Sequence, residues 1–215
     1  MPKICQFKIK RSFNIKLFKP FFKNLKIDKN DKKLYGIKPF RSRQILYTQF
    51  EDDVLRLVNK NSFVQNVSDV RKHKRKFSIF NPTDQQLKLL EKLLKFALKK
   101  CCDTMPSNQL DVTFHFVKIY ASKLGTTNSP EGIHRDGYDI LVPCIVIDRK
   151  NIVGGSSRFY RNKELIFDRI MKEGEGIIFK ENSNPDLFHD VSYITLKDKK
   201  KEGWRSIIGI DINFI

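Results

Sequence analysis

Two hydrophobic periods divide this chain. Before residue 110, apolar positions recur at helical spacing. Phe13, Leu17, Phe18, Phe21, Phe22 and Leu25 fall mostly three and four apart, which predicts a packed amphipathic segment interrupted or initiated near Pro20. Asn81-Pro82-Thr83-Asp84 is a helix-start signal, with Asn81 or Thr83 as the N-cap. Behind it, Leu87, Leu90, Leu94, Ala97 and Leu98 form an apolar stripe that runs to Lys100. Such a helix turns its leucines to a core and its lysines to solvent. Pro106-Ser107-Asn108 closes the region.

From 110 onward the period drops to two. The segment Asp111-Val112-Thr113-Phe114-His115-Phe116-Val117-Lys118-Ile119 alternates as a half-buried strand does. Strands are expected at 111–121, 133–136, 140–148, 156–160, 176–180, 189–196 and 204–214. Turn residues separate them at 125–128, 148–151 and 173–176. Residues 163–172 read as a short helix or loop, and the Lys197–Lys201 run as an exposed hairpin loop. Many short strands at this spacing point to a sandwich or jelly roll. With no internal repeat and no linker, one domain over 1–215 is expected: a basic, helix-rich support region at 1–110 and a β-rich catalytic core at 111–215. The fold class is α+β, mainly β.

Composition narrows the class. At 215 residues, with 40% hydrophobic residues and 18 Phe, the chain can fill one core and is not disordered. No apolar run approaches the ~20 residues of a membrane-spanning helix. The basic N-terminus lacks the apolar stretch of a signal peptide. The formal net charge of +18 is uneven: residues 1–110 carry 26 Lys/Arg against 9 Asp/Glu, and residues 111–215 carry 16 against 15. A solvated, lysine-rich face is the favoured explanation; docking of a nucleic acid or another polyanion is the alternative. Cys5, Cys101, Cys102 and Cys144 form no CxxC pair, which argues against a zinc module or disulfide scaffold. Free thiols suit a reducing, cytoplasmic setting, and Cys144 reads as a core residue. His73, inside the basic run 71–76, reads as solvated.

The candidate chemistry sits in GIHRDG at 132–137. In a strand, residues two apart share a face, which would place His134 beside Asp136 with Arg135 turned away. His189 follows 53 residues after Asp136, on an element that the fold must bring back. Two imidazoles and one carboxylate on one side of a metal leave open positions, as Fe(II) oxygenases require. The alternative for the motif is a plain turn at Asp136-Gly137. Arg205 lies in the strand-like Trp204–Ile210 and needs a partner there. A guanidinium fork fits a carboxylate in two-point fashion, so a dicarboxylic 2-oxo acid could bind the metal at one end and Arg205 at the other. An ion pair of Arg205 with Asp211 or Glu202 is the competing explanation. His115 reads as a packed or pocket-wall residue. Glu131 reads equally as a surface charge or as a group supporting the site or a substrate amine. Gly154-Gly155 reads as a turn needing positive φ.

The strings PEGIHRDGYD (130–139), GGSSRFY (154–160), LFHDVSYI (187–194) and GWRSIIGIDI (203–212) resemble the 2-oxoglutarate/Fe(II) dioxygenase family that contains bacterial free L-amino-acid hydroxylases. The resemblance covers about 110–215 and extends more faintly upstream through Arg41-Ser42-Arg43. It implies a double-stranded β-helix (jelly-roll) core with the N-terminal helices packed on it. It also implies Fe(II) held by His134, Asp136 and His189, 2-oxoglutarate as co-substrate held by Arg205, O₂, and a small-molecule substrate, an amino acid. One position departs from the pattern. Many related oxygenases place Ser or Thr two residues after this arginine as a second anchor, and here Ile207 stands there.

Overall fold

The computed structural model describes residues 4–9, 14–35, 40–60, 75–103 and 107–215. His73, Phe13 and Pro106 lie outside the described residues. The described strands are β1 (Cys5–Lys8), β2 (Arg41–Glu51), β3 (Val54–Leu57), β4 (Ser78–Ile79), β5 (Gln109–Tyr120), β6 (Ile140–Lys150), β7 (Ile152–Gly154), β8 (Ser157–Arg161), β9 (Glu164–Arg169), β10 (Glu175–Lys180), β11 (Leu187–Val191), β12 (Ile194–Leu196) and β13 (Trp204–Phe214). The helical elements are a 3₁₀ segment at Ile15–Phe22, a short α1 (Asn30–Tyr35) and a long α2 (Asp84–Cys101).

The strands build a large sheet in the order β1-β10-β6-β13-β5-β2-β3, with β4 beside β2, and two small sheets, β11-β8-β9 and β12-β7. All pairings are antiparallel except β2 with β4. This is a mainly β protein with an antiparallel core, consistent with a jelly-roll dioxygenase fold. The N-terminal region is more than a helical support. It contributes β2, whose eleven residues pair with β5 along their full length, and β1, which lies on β10 at the far edge.

The two faces of the large sheet bury different things. The outer face joins the first core. There α2 packs Leu90, Leu93, Leu94, Ala97 and Leu98 against the sheet, beside Phe18, Phe21 and Phe22 of the 3₁₀ segment. The rings of Phe80 and Phe116 lie 4.6 Å apart and those of Phe21 and Phe80 5.1 Å apart. Aromatic pairs at such spacings add about 0.5–1.5 kcal/mol each beyond their buried area. Thr83 caps α2 in a full capping box with Gln86, so Thr83 rather than Asn81 is the N-cap. The inner face faces the small sheets over a second core containing Ile45, Val117, Ile119, Cys144, Phe159, Phe179 and Ile207. This inner face carries the candidate site.

Two local expectations change. Residues 164–169 form β9, an edge strand on β8, rather than a helix or loop. Residues 133–136 form no regular strand; only His134 makes an isolated bridge. Gly154 and Gly155 do take positive φ, +77° and +73°. A Cβ on Gly154 would lie 2.2 Å from the Tyr193 carbonyl oxygen, so the turn that admits β12 beside β7 requires glycine there.

Candidate active site

The segment between β5 and β6 crosses the inner face and meets β11. His134 and His189 exchange backbone hydrogen bonds, His134 N–H to the His189 carbonyl at 2.9 Å and His189 N–H to the His134 carbonyl at 2.8 Å. This bridge sets the two imidazoles side by side, with ring centroids 4.4 Å apart and ring planes tilted by 59°. The Nδ1 of His134 lies 2.7 Å from the Gly132 carbonyl oxygen. It therefore donates there, and the lone pair of Nε2 is left pointing at the centre. Asp136 closes the group: its Oδ2 lies 3.2 Å from His189 Nε2 and its Oδ1 3.7 Å from His134 Nε2. One ligand atom from each of the three residues lies within 4.8 Å of the others, and both histidines are buried. Two imidazole nitrogens and a carboxylate converging in a half-closed site are a donor set for a divalent transition metal. The residues present thus fit Fe(II).

Asp136 reaches this position without a strand because Glu181 holds the loop. Glu181 is fully buried at the end of β10. Its Oε1 accepts from the Asp136 N–H at 2.8 Å, and its Oε2 accepts from the N–H groups of Gly137 and Tyr138. Arg135, turned away from the centre, donates to the Glu181 backbone carbonyl at 3.2 Å. Burial, followed by the Asp136 charge, raises the pKa of the Glu181 carboxyl; His189 and the backbone donors pull the other way. Nothing in the sequence marks Glu181, which sits in a polar stretch that reads as a strand end followed by a turn. On the other side, Phe159 and Phe179 pack their rings 5.8 Å from that of His189. Arg158 grips Asp190 through Nε and Nη2 and so ties β11 to β8.

Arg205 is fully buried on β13, two residues before Ile207 on the inner face. Among the described residues none of its three guanidinium nitrogens has a hydrogen-bond partner. Neither Asp211 nor Glu202 pairs with it. Asp211 instead lies 2.7 Å from His115 Nε2. A buried cation without a partner carries a large desolvation cost, and an incoming carboxylate would remove it.

A cleft opens beside the histidines, and its walls include Arg41, Arg43, Arg75, His115 and Glu131. Arg41 is already neutralised by buried Asp31, and it also donates to the Asn128 carbonyl at 2.9 Å. The guanidinium carbons of Arg43 and Arg75 lie 4.9 and 5.6 Å from the centroid of the Phe77 ring. The buried Nε of Arg43 has no hydrogen-bond partner among the described residues. Glu131 places Oε1 3.5 Å from His134 Nε2. The Arg41-Ser42-Arg43 alternation was visible in the sequence; its approach to residues 130 to 140 was not, because it depends on β2 pairing with β5.

Comparison with known proteins defines the class. The sequence profile of the 2OG-Fe dioxygenase family matches residues 19–211, and the chain belongs to that family. It is a 2-oxoglutarate-dependent dioxygenase, which implies Fe(II), 2-oxoglutarate and O₂. No curated protein sequence matches significantly. Among solved structures, a bsmA homologue from Methylobium petroleophilum PM1 is similar at 16% identity and TM-score 0.71, over 93% of this chain and 80% of that one. IDO from Bacillus thuringiensis is similar at 16% identity and TM-score 0.65, over 97% and 89%. The Fe(II)/α-ketoglutarate-dependent dioxygenase TqaL is similar at 15% identity and TM-score 0.66, over 95% and 76%. At these identities the structures share the fold with this chain. No described helix is long and apolar enough to cross a membrane.

Proposed function

We propose that the chain acts as one catalytic domain that hydroxylates a free L-amino acid, with Fe(II) held by His134, Asp136 and His189 and with 2-oxoglutarate held at its distal carboxylate by Arg205. When bound, the iron supplies the oxidative chemistry: one O₂ and one 2-oxoglutarate yield succinate and CO₂, and the second oxygen atom enters a C–H bond of the substrate. The protein's share is placement. The Gly132 carbonyl fixes the His134 ring, Glu181 fixes the Asp136 loop, and Phe159 and Phe179 keep water from the His189 side.

The observation that carries the substrate reading is the charge pattern of the cleft wall. Among the described residues Arg43 forms no ion pair with a carboxylate and its buried Nε has no hydrogen-bond partner, while Glu131 lines the same cleft beside His134. A zwitterion offers its carboxylate to the first and its ammonium to the second. The test is a turnover panel of the twenty amino acids with Fe(II), ascorbate and 2-oxoglutarate, read by mass. One or a few aliphatic amino acids are expected to gain a single oxygen atom. The basic surplus of residues 1–110 favours a second reading, the same chemistry on a docked nucleic acid or protein. No oxygen gain on any amino acid, together with tight polynucleotide binding that weakens steeply with salt, would replace the first reading by the second.

A further inference from the structure

The inner face carries a like-charge pair that the fold itself does not satisfy. Arg149 on β6 and Arg205 on β13 are direct cross-strand partners, so both side chains leave the same face of the sheet. A Cβ built on Gly155 would lie 3.7 Å from Arg149 Nη1 and 3.8 Å from Arg205 Cδ. Both side chains therefore crowd one glycine of the β7–β8 turn. Arg149 donates Nη2 to the Gly154 carbonyl at 2.8 Å and makes a long contact of 3.5 Å from Nη1 to the Met171 carbonyl. Arg205 donates to no group among the described residues. Among the described residues neither guanidinium forms an ion pair with a carboxylate. Like charges directly opposite each other on paired strands are destabilising, and an unpaired buried cation is more so. An anion seated between the two would turn both costs into attraction. Burial, and after it the Arg205 charge, bring Arg149 down to about 10, so it stays cationic near neutral pH.

We propose that Arg149 is the second anchor of the co-substrate: Arg149 and Arg205 together grip the distal carboxylate of 2-oxoglutarate, one from each strand. Ile207, two residues after Arg205, has no hydroxyl to offer that carboxylate, and Arg149 supplies the missing donor from the neighbouring strand. Gly155 leaves the space for it; a Cβ there would also lie 2.6 Å from Ile194 Cγ2. The pairing gives the site a preference for dicarboxylic over monocarboxylic 2-oxo acids, because only the former reach the arginine pair. This inference rests on the reading in which Arg205 faces 2-oxoglutarate.

The test uses the full chain loaded with Mn(II) as a stand-in that does not turn over. Calorimetric titration compares 2-oxoglutarate with 2-oxobutyrate, which lacks the distal carboxylate, in wild type, Arg149→Gln and Arg149→Lys. Wild type is expected to prefer 2-oxoglutarate. Arg149→Gln is expected to weaken 2-oxoglutarate about tenfold or more, the worth of a charge-assisted hydrogen bond, and to leave 2-oxobutyrate within about twofold. Arg149→Lys is expected to recover part of the loss, since the charge remains and the fork does not. In the absence of ligand, Arg149→Gln is expected to melt no lower than wild type, because the repulsion is gone. Unchanged 2-oxoglutarate affinity in Arg149→Gln, or an equal loss for both acids, would overturn the anchor role and leave Arg149 as a prop for the Gly154 and Met171 carbonyls. If wild type bound 2-oxoglutarate no better than 2-oxobutyrate, the placement of Arg205 itself would fall.

Discussion

A single buried carboxylate, Glu181, does for the candidate centre what a regular strand would otherwise do. Three consecutive N–H groups, those of Asp136, Gly137 and Tyr138, donate to it. Without those acceptors the loop has no reason to hold the Asp136 carboxylate against His189. Supporting groups of this kind typically account for 10–100-fold in metal affinity. Glu181→Ala is therefore expected to weaken Mn(II) or Fe(II) binding by about that factor, as measured by competition with a metallochromic chelator. Affinity equal to wild type would mean that the loop holds its shape without Glu181. At this scale the sequence was informative where chemistry needs rare residue types at fixed spacing, as in His134 and Asp136. It was silent on Glu181, because a glutamate before a turn looks like any surface charge until β10 is placed beside the loop. Arg149 was hidden in the same way, since its meaning depends on the register of β6 against β13.

At the scale of elements, periodicity was a good guide wherever one face is buried. The leucine stripe of α2 and the alternation of β5 and β13 follow directly from a two-sided environment. Segment 163–172 escaped because β9 is an exposed edge strand: only Phe167 among Glu164–Arg169 is partly sheltered, so no apolar face is imprinted on it. Segment 133–136 departs from a strand for the opposite reason, since its spacing serves a centre and not a sheet. The docking of α2 also has a pH signature. Cys101 ends α2, and burial, then the neighbouring Cys102 and Cys5, push its thiol up to about 12. A raised thiol pKa means that the unfolded chain loses this proton first as pH rises. Stability from this group is thus complete below about pH 8.5, the pKa of a free thiol, and declines above it. Chemical denaturation from pH 8 to 10 is expected to show a falling midpoint whose slope is shallower in Cys101→Ala. An identical slope in that variant would place the thiol in solvent. Alkylation of Cys101 in the native protein should likewise be slow at pH 8, because little thiolate exists.

At the scale of the whole molecule, the contrast between a basic first half and a nearly neutral second half is a division of charge more than of structure. Strand β2, from the basic half, lies against β5 in the same sheet and carries Arg41 and Arg43 onto the face where His134 and His189 meet. The mainly β character was legible from strand count and turn spacing, which left a sandwich or a jelly roll open, and the jelly-roll core came from the family resemblance; the interleaving of early and late strands was not legible, because pairing between distant segments leaves no local trace. In the proposed function Asp136, with the two histidines, holds iron that turns over 2-oxoglutarate. The most direct test of that role is succinate release by the purified protein given Fe(II), ascorbate, O₂ and 2-oxoglutarate, in wild type and in Asp136→Ala with melting temperatures matched. Iron-dependent succinate is expected from wild type, with a loss of at least about a hundredfold in the variant, whose fold stays intact. Equal succinate from both proteins would contradict it.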